Sequence, residues 1–143
     1  MKKILIFGNF CFGSQSYNGH TAKSRDYYYY LVQRYGVENV DAIDTASFRK
    51  NFISAYIKLK KSLKNTENVV MLVGANAAKI LVPIVVNCKN KFGYKVWWSL
   101  VGGGLLYDEK TQKKLKFEFS GIDALFCETK ALTEYFSSFT PKV

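Results

Sequence analysis

A chain of 143 residues, 48% of them hydrophobic and 22% charged, suits one domain with a core that buries about two-thirds of its unfolded surface. No apolar run nears the ~18 residues of a membrane span, and Met1-Lys2-Lys3 leads into a short strand-like run without a small-residue cleavage site, so the chain is expected to be cytoplasmic. With 21 Lys and Arg against 11 Asp and Glu, the charge of +10 biases partners toward anions: nucleotides, phospholipid head groups, pyrophosphate-linked lipids or nucleic acid. The three cysteines, Cys11, Cys88 and Cys127, are odd in number and widely spaced, which indicates neither a disulfide framework nor a metal site.

Residues 4–7 form an apolar run suited to a central parallel strand, and Gly8, Gly13 and Gly19 punctuate the connection after it. A helix is predicted to open near Asn18 to His20, with Ser24, Tyr27/Tyr28, Leu31 and Tyr35 at helical spacing and Gly36 as its stop. Strand, glycine-rich loop and helix together leave N–H groups and a positive dipole end facing a strand end, an arrangement that binds anions. Gly8 to Gly13 has the outer spacing of a phosphate loop but lacks its Lys-Ser/Thr, and no GxGxxG is present, so an NTPase is a poor reading.

The second strand is predicted at 40–43, ending in Asp44-Thr45, and a helix over 47–64 sets Phe48, Phe52, Tyr56, Leu59 and Leu63 on one face. Lys58, Lys60, Lys61 and Lys64 occupy its other side, as on a helix that lies on an acidic membrane or simply faces solvent. Residues 69–73 form the third strand, after which Asn76 is expected to cap a helix reaching Lys91 that Pro83 kinks or splits. The fourth strand, 95–100, stops at Val101-Gly102-Gly103-Gly104; a lysine-rich helix over 109–119, a fifth strand at 124–127 and a helix over 130–138 complete the chain.

Five strand–helix alternations predict a three-layer α/β, Rossmann-like domain: a mainly parallel sheet of about five strands with helices on both faces. Gly8-Asn9, Asp44-Thr45, Gly74 to Asn76, Gly102 to Gly104 and Glu128-Thr129 would all follow carboxyl ends of strands, where such sheets bind ligands. The switch in strand order is expected between the first and fourth strands, which would set the first glycine loop across a crevice from Gly102 to Gly104. His20, the single histidine, could exchange a hydrogen bond with a sugar or phosphate there, and Lys23 and Arg25 could pair with a phosphate. Asp44 could take ribose hydroxyls. No metal-ligand cluster and no nucleophilic triad is visible, so a metal-free site is expected.

The segments Gly8-Asn9-Phe10, Tyr17-Asn18-Gly19-His20-Thr21-Ala22-Lys23-Ser24-Arg25, Asp41-Ala42-Ile43-Asp44-Thr45, Gly74-Ala75-Asn76-Ala77 and Cys127-Glu128-Thr129-Lys130 carry a resemblance to the N-terminal half of bacterial family 4 glycosyltransferases, enzymes of the GT-B fold that often build surface or capsular polysaccharides. The family usually has Gln in place of His20, and often Gly-Gly-Trp in place of Gly103-Gly104-Leu105. The resemblance implies an acceptor-side domain whose glycine loop meets the donor diphosphate at Gly13, Asn18, Gly19 and His20, with Lys23 and Arg25 supporting that anion. It also implies an acceptor cleft at Asn76, Gly102 and Gly103. The expected co-substrate is a nucleotide sugar, used with retention and no metal or other cofactor, and the acceptor is a glycan or lipid-linked sugar. The donor-binding C-terminal domain, with its Glu-x7-Glu motif, is not in these residues, so the chain alone is expected to be inactive, at work only with that domain or a donor-binding subunit. Placement at the inner face of an anionic membrane also follows, and nucleic acid is the least supported partner. Two rivals remain: a dinucleotide-binding oxidoreductase fragment, and a noncatalytic basic scaffold or membrane-binding module.

Overall fold

The structure is a computed structural model that describes residues 3–15, 18–140 and 143. Met1-Lys2, Tyr17 of the resembling segment and Pro141-Lys142 lie outside the described residues. In chain order the elements are β1 (Ile4–Gly8), α1 (Gly19–Tyr35), β2 (Val40–Asp44), α2 (Ser47–Lys50), α3 (Phe52–Lys64), β3 (Asn68–Val73), α4 (Ala75–Phe92), β4 (Lys95–Leu100), α5 (Glu109–Leu115), β5 (Ala124–Phe126) and α6 (Lys130–Phe136). The five strands form one sheet in the order β2-β1-β3-β4-β5, and every pairing is parallel. The expected Rossmann-like α/β architecture is therefore present.

Alternation along the strands sorts the core into two layers. Leu5, Phe7, Val69, Met71, Val96 and Trp98 point to one face and bury Leu59 and Leu63 of α3, Leu81, Val82 and Val85 of α4, Leu115 of α5 and Phe136 of α6. Ile6 and Leu72 point to the other face, where Tyr28, Leu31 and Val32 of α1 cover them. Trp98 is fully buried and its indole N–H donates to the Val73 carbonyl at 3.1 Å, so this large ring leaves no polar atom unsatisfied.

Among the described residues α1 is the one helix over that second face, and a groove of about 860 Å³ opens beside it. Tyr27, Leu31 and Tyr35 form one wall, while Val70, Trp97, Ser99 and Phe126 lie along its floor. Trp97 stacks on Phe126, which is 52% exposed at the sheet's last strand. An all-parallel sheet is ordinarily covered on both faces, so this aromatic floor departs from the rule.

Four local expectations are corrected. The helix predicted over 47–64 breaks at Asn51, whose extended backbone (φ −151°, ψ 95°) ends α2 and whose side chain accepts from Ser54 N to start α3. An Asn side chain competes with the helix for local backbone donors and so favours such a restart. The helix predicted over 109–119 stops at Leu115, and a 3₁₀ turn occupies Glu118–Gly121. Of the kink or split expected at Pro83, the split does not occur: α4 runs through it, and Ala78, Leu81, Val82 and Val85 remain buried on one stripe across the missing backbone donor. Asn76 does not cap α4: Gly74, in extended backbone, is the N-cap and its carbonyl accepts from Ala78 N at 3.0 Å, so the helix has already begun where Asn76 falls.

The order of strands corrects a fifth. β3, not β4, lies beside β1, so the switch falls between β1 and β3. Right-handed crossovers produce this order when α1 covers one face and the later connections pass over the other.

Candidate functional site at the carboxyl edge

The loop after β1 turns tightly: Cys11 adopts φ 46°, Gly13 φ 79°, and Ser14 N donates to Cys11 O at 3.1 Å. A left-handed non-glycine residue in a ligand-facing loop is a position where the surrounding structure outweighs local preference. Arg25 provides part of that constraint. Its Nε donates to Phe10 O and its Nη2 to Cys11 O, both at 2.7 Å, so the guanidinium braces the loop from inside. Asn18 then caps α1 by accepting from Thr21 N at 2.9 Å. Beneath this turn, Ser24 is fully buried over Gly8: a Cβ at Gly8 would come 2.8 Å from Ser24 Oγ and 2.9 Å from Ser24 Cβ. Gly8 thus sets how closely α1 approaches β1.

His20 lies in the first turn of α1, and its Nε2 is 3.1 Å from the Leu72 carbonyl oxygen. A carbonyl only accepts, so in the neutral ring Nε2 bears the proton and Nδ1 is an acceptor. One turn on, Lys23 Nζ meets Glu128 Oε1 at 2.6 Å and lies 6.0 Å from the Tyr27 ring centre. Glu128 follows β5, and the Gly102 amide lies near enough to favour its charged form. The Lys23 hydrogen bond, helped by the Gly102 amide, holds the Glu128 carboxyl below the usual carboxylate range.

Lys23 of α1 is thus paired with Glu128 after β5, with Gly102 near that carboxylate, although β3 separates the strands that carry the two loops; Asn18, Gly19 and His20 stand at the start of the same helix. Gly102 itself sits at φ 71°, where glycine bears no steric cost. The aromatic groove is lined by other residues: beside Tyr27 and Phe126 its lining reaches Ile4, Asn68 and Lys95, the first residues of β1, β3 and β4, so it extends to the amino edge of the sheet. Gly13 is in the bracing loop, with open space around its Cα. Asn76 is exposed and lines a separate cavity of about 120 Å³ with Thr45, Phe48 and Arg49. Asp44 caps a turn by accepting from Ala46 N at 3.0 Å, and borders another cavity with Phe12, Lys50 and Lys58.

Sequence reasoning placed Glu128 at the right edge but gave it no role. Its signal was an acidic residue just past a strand, and its partner lies 105 positions away. Among the described residues no three His, Cys, Asp or Glu side chains gather as a metal site would require. Among the described residues no helix is long and apolar enough to cross a membrane.

Fold and edge together define a Rossmann-like α/β domain with a polar cluster at the ligand-binding end of its sheet. No family model, curated protein or solved structure matches the chain.

Proposed function

We propose that this chain is the acceptor-side, N-terminal domain of a retaining, nucleotide-sugar-dependent glycosyltransferase of the GT-B type, acting in surface or capsular polysaccharide synthesis at the inner face of the cell membrane. The observation that supports this reading best is the Lys23–Glu128 pair, which ties the start of α1, with Asn18 and His20 on it, to the segment after β5 near the Gly102 loop. A helix N-terminus with a lysine and an orientable imidazole suits a diphosphate with a sugar attached. The groove below, walled by Tyr27 and Tyr35 and floored by Trp97 and Phe126, suits the apolar portion of a lipid-linked acceptor. Cations that stabilise the departing diphosphate come from a donor-binding domain or subunit, so the chain by itself binds but does not turn over.

The test uses the single histidine as a probe. Titration with nucleoside diphosphate sugars is expected to shift the His20 ring carbon–proton resonance, with the shift weakened about tenfold in affinity by Lys23→Gln. A silent His20 across a panel of nucleotide sugars removes the reading. Tight binding of NAD in the same experiment would instead favour the oxidoreductase alternative.

A further inference from the structure

We propose that the chain forms a two-fold symmetric dimer in which α1 of each copy lies in the aromatic groove of the other, with Arg34 of one copy paired to Glu67 of the second. The transferase reading is not needed for this. A second copy and the apolar portion of an acceptor compete for one groove, so the dimer is the form of the chain without acceptor.

A parallel sheet buries both faces, yet among the described residues no helix lies over Trp97 and Phe126. The helix that fits this gap is α1 itself. Tyr27, Leu31 and Tyr35, each four residues from the next, form the groove wall. At about 100° per residue, Asp26, Tyr30 and Arg34 make the neighbouring row on the outward side. Tyr29 is exposed beside them, and an aromatic solvent side contradicts a merely solvated helix.

Symmetry fixes how two copies meet. A two-fold axis along α1 sets the helices parallel and side by side with one sheet below and the other above, so Tyr29 and Tyr30 of each copy face the other's Trp97 and Phe126. An axis normal to the sheets would drive them into one another. Five rings, Tyr27, Tyr29, Tyr30, Tyr35 and Phe126, are each 40–59% exposed and offer about 100 Å² apiece. That is roughly 500 Å² per copy before the floor and the charged rim are counted, against ~800 Å² per partner in a stable interface.

Charge selects a second copy as the occupant. α1 runs back toward the amino edge, so its Arg34 comes to the end of the facing groove that Glu67 lines. Neither side chain takes part in an ion pair among the described residues. Around the contact Lys23, Arg34 and Lys95 are balanced by Asp26, Glu67 and Glu128, so this face is neutral on a molecule of +10. Self-repulsion therefore opposes association elsewhere and spares it here.

The experiment is sedimentation velocity of the whole chain over a concentration series. A species of twice 16.3 kDa is expected, dissociating on dilution. Arg34→Glu and Glu67→Arg should each weaken it about tenfold for each of its two pairs, and the double variant, which swaps the charges, should recover the parent's affinity. Tyr30→Ser should weaken it roughly tenfold per copy. Ile53→Ser, at a 72% exposed site on α3, should dimerise as the parent does. Acrylamide should reach Trp97 in the dilute chain and lose it as the dimer forms. Circular dichroism and the thermal midpoint certify that each variant is folded.

A parent that stays monomeric across the series, a dimer that neither charge reversal weakens, or a double variant no better than the single ones would each overturn the proposal. So would loss of the dimer in Ile53→Ser, or quenching of Trp97 that dimerisation leaves unchanged. The His20 titration, run on the Glu67→Arg variant, keeps the two readings apart. A His20 shift in a chain that never dimerises removes only the dimer, while a dimer with a silent His20 removes only the transferase.

Discussion

Lys23 spends its charge on Glu128 at 2.6 Å, and an arriving diphosphate would compete with that carboxylate for it. Glu128→Gln is therefore predicted to tighten binding of a nucleoside diphosphate several-fold, whereas a purely structural pair predicts weaker binding as the edge loosens. The same His20 resonance reads the difference. Gly8→Ala should cost about 1–3 kcal/mol in denaturant unfolding, because the added methyl meets both Ser24 Cβ and Oγ, and only a shift of α1 relieves it. Asp108 offers a pH handle. Hydrogen bonds from the Thr111 side chain, from Lys79 and from the Thr111 amide lower its carboxyl to about 2. Since the folded value lies below the unfolded one of about 4, its stabilisation is complete above that pH and is lost as pH falls through about 2. Asp108→Asn should flatten that part of an acid titration followed by circular dichroism. At this scale the sequence was partly legible: the opening of α1 near Asn18 to His20, and His20 and Lys23 as edge residues, follow from local spacing. The bond from Lys23 to Glu128 spans 105 positions, and no local pattern encodes it.

Among elements, unbroken apolar runs such as Val69 to Val73 marked the strands because a parallel strand buried on both faces needs little alternation. The split between α2 and α3 was hidden because its cause is one Asn side chain bonding to Ser54 N rather than a change of periodicity. Asn51→Ala is accordingly expected to lower stability by about 1 kcal/mol, measured as a reduced thermal midpoint. Strand order was misplaced by one position, since adjacency depends on which face each crossover takes and not on any residue pattern. The two neighbouring tryptophans give a further check. Trp98 is fully buried, while Trp97 lies on the open groove floor. Acrylamide should quench one of two fluorescence components, and Trp97→Phe should abolish the quenched one; a single unquenched component would mean that the groove is covered in solution.

The whole molecule carries a charge of +10, and its cations repel one another in the compact state. The sheet's order adds a temporal consequence. Both neighbours of β1, namely β2 and β3, lie within the first 73 residues, together with α1 and α3. On a ribosome this half can close its three strands before β4 and β5 emerge, because domains and their subunits fold in the order of synthesis. The later strands then add outward in sequence, each finding its template already set. The chain grows its sheet from an early centre toward one side, so a truncation after β3 would leave a nucleus with its oldest strand fully paired.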